Sequence, residues 1–172
     1  KVKNYLSYNM DIIIVGAICY LLGSIPFGFI LTKIFLKKDI RDVGSGNIGA
    51  TNVLRTGNKL IGYTTLFFDV IKAVFPVIYV KIFYQDFLYT ASLCIFLGHV
   101  FPIWLRFKGG KGVATYLGIL FAINFYFGII FIISWFITFF ISKFSSLSSL
   151  IGAASIPIYF LILTKFDQLI FF

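Results

Sequence analysis

Ile12–Thr32 reads IIIVGAICYLLGSIPFGFILT, with no Lys, Arg, Asp or Glu in it. A helix of roughly 20 apolar residues crosses a hydrocarbon core about 30 Å thick. Phe87–Leu105, Gly112–Ser142 and Phe144–Thr164 are equally free of charge, and Leu60–Val80 joins them apart from Asp69 and Lys72. Over the 172 residues, 60% are hydrophobic and 12% charged, and the mean hydropathy is +0.99. A soluble domain carries about 25% charged residues, so the polar surface that a soluble core would need is missing. The chain reads as an all-α polytopic membrane protein.

Gly112–Ser142 would be about 46 Å long as one straight helix, too long for a bilayer without strong tilt. Asn124 interrupts it and Gly128 follows, which predicts two short spans with a turn near Asn124. Six spans result. Gln168–Phe172 reads as the start of a seventh, cut off, so about seven transmembrane helices are expected in a single integral membrane domain over residues 1–172. Lys1–Asn9 is polar and precedes the only methionine, Met10. It reads as a non-native or gene-annotation extension ahead of the natural start.

Short loops give the orientation. Lys33, Lys37, Lys38, Arg41, Arg55, Lys59, Arg106, Lys108, Lys111 and Lys143 fall in loops of one phase. Lys81 and Lys165 fall in the other, with Lys1 and Lys3 ahead of Met10. The positive-inside rule puts the first set in the cytoplasm and the N-terminus outside. The net charge of +9 follows from that bias and from nearby anionic lipid. No nucleic acid is needed to explain it, although basic loops also suit an anionic substrate.

The first inward loop contains Val43-Gly44-Ser45-Gly46-Asn47-Ile48-Gly49-Ala50-Thr51-Asn52-Val53-Leu54-Arg55. Gly44, Gly46 and Gly49 match G-x-G-x-x-G, but the dinucleotide reading needs a preceding strand, and a membrane helix precedes this one. The physics of the glycines remains: they let backbone N–H groups converge into an anion nest. Ser45, Asn47, Thr51 and Asn52 add neutral donors, and Arg55 adds a planar cation suited to phosphate. The plain alternative is an ordinary loop of turn residues.

The second dense segment runs Gly98-His99-Val100-Phe101-Pro102-Ile103-Trp104-Leu105-Arg106-Phe107-Lys108-Gly109-Gly110-Lys111-Gly112-Val113-Ala114-Thr115. Gly112, not Ser or Thr, follows Lys111, so this is not a nucleotide-binding P-loop. Gly109, Gly110 and Gly112 bracket Lys111 at a helix start, a ready anion site. Arg106 and Lys108 need be no more than positive-inside charges. His99 is the only histidine, and a lone His is more often structural than catalytic. Asp69 and Lys72, three apart, share a helix face in the second span; intramembrane charges turn inward and pair. Cys19 and Cys94 lie in apolar spans without metal spacing. Neither a metal nor a cofactor is expected.

Gly23-Ser24-Ile25-Pro26-Phe27-Gly28, the Gly44–Arg55 loop and the Gly98–Thr115 segment together resemble the bacterial acyl-phosphate-dependent glycerol-3-phosphate acyltransferases. Asp69, Lys72 and Ser145–Ser149 fall where that family has its inner couple and a third, shorter motif. The resemblance implies a seven-helix enzyme of the bacterial inner membrane, with its active site at the cytoplasmic face. It implies transfer of an acyl group from acyl phosphate to the sn-1 hydroxyl of glycerol 3-phosphate, giving lysophosphatidic acid for phospholipid synthesis. The family closes with a basic cytoplasmic tail that this sequence does not contain.

Two phosphate-bearing reactants suit two anion-binding loops. Ser45, Gly46, Asn47, Thr51, Asn52 and Arg55 are assigned to phosphate binding, with Gly109, Gly110 and Gly112 as the second nest. Lys111 would stabilise the leaving phosphate or the developing oxyanion. His99 is one candidate base. A substrate phosphate oxygen is favoured, because nothing in the sequence seats His99 beside the first loop. The H-x-x-x-x-D pattern of acyl-CoA-type enzymes is absent, since Trp104 stands five residues after His99. A transporter for a phosphorylated metabolite is the alternative from another class, and a scaffold subunit of a lipid-synthesis complex is a third reading.

Overall fold

The computed structural model describes the backbone of residues 2–170 and the side chains of residues 8–162. Every regular element among them is helical. They are α1 (Val2–Gly23), α2 (Phe27–Leu31), α3 (Ala50–Leu54), α4 (Lys59–Phe83), α5 (Leu88–Val100), α6 (Val113–Ile123), α7 (Phe125–Ser142) and α8 (Ser145–Ile170), with short 3-10 and π turns between. Tyr8–Leu36, Gln85–Leu105, Phe125–Ser142 and Ser145–Ile162 are long and apolar enough to cross a membrane. The chain forms two compact units, residues 1–123 and 124–172.

In the first unit α4 is the central helix, touched by α1, α2, α3, α5 and α6. Its buried stripe, Ala73, Val77 and Val80, meets Cys19 of α1, Ala91 and Ile95 of α5, and Ile119 and Ala122 of α6. Apolar burial drives little between helices in lipid, so close approach through small residues does the work. Gly98 of α5 shows this: a Cβ there would strike the Tyr20 carbonyl and the Ser24 backbone. The far ends of α4 and α6 are tied where Lys81 Nζ donates to the carbonyls of Ala122 and Ile123, at 3.2 and 2.7 Å.

The apolar runs do not coincide with unbroken helices. Ile12–Thr32 breaks at Ser24-Ile25-Pro26, where Pro26 has no N–H to continue α1. Phe87–Leu105 likewise stops at Val100, ahead of Pro102, and the chain turns back at Arg106 and Phe107, both left-handed (φ 52° and 62°). Gly112–Ser142 divides as its length requires. α6 ends at Ile123, and the Asn124 side chain caps α7 by accepting from the Tyr126 N–H at 2.9 Å. At 11 residues α6 is about 16 Å long, short of a full crossing.

The second unit is an antiparallel helix pair, α7 against α8. Trp135 Nε1 donates to Ser149 Oγ at 3.2 Å, Gly152 lies on the Phe131 ring, and Phe127 meets Tyr159 and Phe160. The turn between the two helices carries Lys143 in the left-handed region (φ 61°). Ser145–Ser149 forms the first turn of α8, with Ser148 buried and donating to the Phe144 carbonyl. The expected start of a seventh span at Gln168–Phe172 falls outside the described side chains, and Lys1–Asn9 is described there only at Tyr8 and Asn9.

Candidate active site

The first glycine-rich loop, residues 43–55, is built around one amide. Asn52 is 3% exposed. Its Oδ1 accepts from the Ser45 backbone N–H at 3.0 Å and from Ser45 Oγ at 3.2 Å. Its Nδ2 donates to the carbonyls of Ile40, Val43 and Asn47 at 3.1, 2.8 and 2.8 Å. An Asn amide has two donors and one carbonyl oxygen, so this side chain is fully committed to holding the loop. Asn47 makes a second local tie, its Oδ1 accepting from the Gly49 N–H at 2.9 Å.

With Asn52 turned inward, Ser45, Thr51 and Arg55 are left exposed. Gly44 and Gly46 both have positive φ, 54° and 71°. A Cβ on Gly44 would sit 2.9 Å from Arg55 Cδ and 3.1 Å from its Nη1. The Arg55 side chain therefore lies directly on the glycine turn, and the cation and the nest are one feature. Asp39 is the loop's other anchor. Arg41 grips its carboxylate with Nε and Nη2 at 3.0 and 2.6 Å and lies over the Phe29 ring at 4.9 Å. That guanidinium hydrogen bond holds the Asp39 carboxyl down at about 2.

The loop is pinned from below by Ile40, Ile48, Val53 and Ile61, and Leu105 completes the same buried cluster. Leu105 belongs to the second glycine-rich segment, residues 98–115. The two polar segments thus share one apolar footing. Gly28 lets the first loop descend onto α2, since a Cβ there would collide with the Ile48 carbonyl.

The second segment folds back on the end of α5. The Gly109 N–H donates to the Val100 carbonyl and the Gly110 N–H to the His99 carbonyl, both at 3.1 Å. Gly110 lies against the Nε2 edge of the His99 imidazole, where a Cβ would strike Nε2. Gly112, at φ 76°, lies on the Phe96 ring in the same manner. Lys111 stands exposed between them. The N–H groups of Gly109 and Gly110 are therefore spent inside the protein.

His99 sits in the last turn of α5 and is 3% exposed. Lys72 Nζ lies 2.9 Å from its Nδ1 and donates to the Ile25 carbonyl at 2.8 Å. It also pairs with Asp69 Oδ1 at 2.8 Å, an ionic contact whose angle falls outside hydrogen-bond geometry. Asp69 Oδ1 is 3.7 Å from His99 Nδ1. An ammonium can only donate, so His99 Nδ1 accepts and the ring proton is on Nε2, the edge turned to Gly110.

Sequence reasoning joined Asp69 to Lys72 and missed that His99 belongs with them. The signal was there: ionisable groups in apolar spans seek one another, and His99 is the one histidine. The Asp69 carboxylate thus lies beside His99 as well as beside Lys72. Among the described residues no cluster of three His, Cys, Asp or Glu could hold a metal ion.

Residues 13–172 match the family model described as glycerol-3-phosphate acyltransferase. The chain belongs to this family. It is 65% identical over 162 residues to a glycerol-3-phosphate acyltransferase of Pelagibacter ubique, covering 94% of this chain and 85% of that protein. It is 49% identical over 148 residues to the Bartonella henselae protein of the same name, covering 83% and 70%. Among solved structures it is similar to PlsY (YgiH), an integral membrane glycerol 3-phosphate acyltransferase, in its glycerol 3-phosphate form. That likeness has a TM-score of 0.83 at 36% identity, over 89% of this chain and 78% of that one. The lysophosphatidic acid form of the same enzyme gives 0.78. As an acyltransferase-family member, the chain carries its two glycine-rich segments on one apolar footing.

Proposed function

We propose that this protein transfers a fatty acyl group from acyl phosphate to the sn-1 hydroxyl of glycerol 3-phosphate at the cytoplasmic face of a bacterial inner membrane. Family membership supports the acceptor and the reaction class. The observation that carries the two-phosphate reading is the packing of Leu105, from the second segment, into the cluster under the first. That packing ties the segment carrying Lys111 to the loop carrying Ser45–Arg55, which supports the reading.

In this reading Ser45, Gly46, Asn47, Thr51 and Arg55 take the glycerol phosphate. Asn52 shapes their loop from inside. Lys111, with the Gly109–Gly112 turn around it, faces the acyl phosphate. The acceptor oxygen forms the new ester bond at the acyl carbonyl carbon, and the bond from that carbon to the phosphate oxygen breaks. Inorganic phosphate leaves. Lys111 offsets charge on the departing phosphate, and a substrate phosphate oxygen takes the hydroxyl proton. Acyl phosphate is already activated, so positioning and charge stabilisation suffice without a covalent nucleophile. His99 is not needed as the base: it is buried, with Nδ1 engaged by Lys72.

The test is reconstitution of the purified protein in liposomes with acyl phosphate and labelled glycerol 3-phosphate. Labelled lysophosphatidate acylated at sn-1 is the expected product. Uptake of label with no acylated product would replace this reading with the transporter.

A further inference from the structure

Lys111 is exposed, yet both of its neighbours are buried on side chains of α5. Gly110 rests on the His99 imidazole and Gly112 on the Phe96 ring. The Lys111 backbone is therefore held between two rings, in a turn that the Gly109 and Gly110 N–H groups also tie to α5. Of the two rings, that of His99 is itself fixed. Lys72 holds Nδ1 from one side, and Lys72 is held in turn by Asp69 and by the Ile25 carbonyl at the break between α1 and α2. The His99 carbonyl also accepts the Gly110 N–H. The chain of contacts runs from buried ion pair to imidazole to glycine to exposed lysine.

We propose that His99 is a positioning residue, whose imidazole, locked by Lys72 and Asp69, forms the seat on which Gly110 rests and so fixes where Lys111 presents its ammonium. This inference rests on the acyl-transfer reading of Lys111 for its kinetic consequence, though not for its geometry. It gives the buried trio of Asp69, Lys72 and His99 a task in the site, where the alternative is a tie between helices with no bearing on turnover.

Two substitutions separate the two edges of the ring. His99→Asn keeps an acceptor near the δ position for Lys72 and removes the ε edge under Gly110. His99→Gln keeps a polar group near the ε position and loses the δ acceptor. His99→Asn is expected to lower kcat by about 10-fold to 100-fold, the scale on which a displacement of about 1 Å acts. Its KM for glycerol 3-phosphate and its melting temperature in detergent should stay close to wild type. His99→Gln should do the reverse, losing melting temperature more than kcat. Gly110→Ala, whose Cβ meets the ring, should be slow alone and regain turnover in combination with His99→Asn, because the gap then accepts the methyl.

Hydrogen exchange of the amides at 109–112 gives a readout independent of activity. They should exchange faster in His99→Asn, with the amides of 40–54 unchanged. The seat is overturned if those amides are unaffected by His99→Asn. It is equally overturned if both His99 variants lose kcat only in proportion to stability, or if Gly110→Ala is no better in the His99→Asn background. A wild-type protein that fails to transfer from acyl phosphate would sink the functional reading, while the exchange result would still decide the seat.

Discussion

Lys72 Nζ stands 2.9 Å from His99 Nδ1, which joins the middle of α4 to the last turn of α5 through two side chains that are almost wholly buried. Buried charge is held only when compensated, and removing one partner leaves the other exposed to the full desolvation cost. Lys72→Met should destabilise the protein by about 3–5 kcal/mol, the range for breaking a buried pair from one side. Asp69→Leu with Lys72→Met removes both charges and should recover part of that loss. Thermal unfolding in detergent distinguishes the two, and equal destabilisation in both would mean that the charges contribute nothing as a pair.

Asn52 makes five hydrogen bonds from one buried amide. Asn52→Ala strands the Asn47 carbonyl and the Ser45 N–H, at about 1–3 kcal/mol for each group left unpaired, and strips a second bond from the Ile40 and Val43 carbonyls, which keep the N–H groups of Val43 and Gly46. The loop should loosen, with a fall in melting temperature as well as in activity. A variant of normal stability but without activity would instead argue for direct contact between Asn52 and substrate.

The exposed cations should behave differently from Asn52 and from each other. Arg55→Ala should raise the KM for glycerol 3-phosphate by about 10-fold or more, since a hydrogen bond to a charged group contributes about 1.5–3 kcal/mol. Lys111→Ala should mainly lower kcat, by about 100-fold, as losing a donor to transition-state charge does. Steady-state kinetics over both substrates read this split. Unchanged parameters in both variants would show that neither cation meets a substrate phosphate.

Asp39 provides a pH test outside the membrane. Arg41 holds its carboxyl at about 2 against an ordinary 3.8. A depressed carboxyl stabilises the fold fully above its unfolded value and loses that contribution as pH falls through the folded one. The Asp39–Arg41 pair should thus remain intact from neutral pH to about pH 4 and fail between about pH 4 and 2. Asp39→Asn should flatten the acid limb of the stability profile there, and leave the slope between pH 5 and 8 unaltered.

The parts of this fold that were legible in the sequence follow from strong, local physics. Charge-free runs announce helices that lipid tolerates, and Asn124 announced the break before α7 because a short polar side chain can cap a helix. The break at Ser24-Ile25-Pro26 was hidden inside an apolar run, although Pro26 carried the signal. In the first loop the sequence displays the residue types but not the directions of their side chains. Asn52 and Arg55 both read as phosphate donors, and only packing shows that one turns inward and the other lies out over Gly44. Gly109 and Gly110 read as a nest for the same reason, yet their N–H groups close onto α5. The meeting of His99 with Lys72 is a long-range event across 27 residues. Helix packing decides it, and spacing alone does not.

The central claim is that two phosphates are brought together, one on the acceptor and one on the donor. Donor choice tests it most directly: the initial rate of lysophosphatidate formation by purified protein, with acyl phosphate or acyl-CoA of the same chain length at equal concentration. The account predicts turnover with acyl phosphate, its loss in Lys111→Ala, and no appreciable product from acyl-CoA. Product from acyl-CoA alone, with acyl phosphate inert, would contradict it.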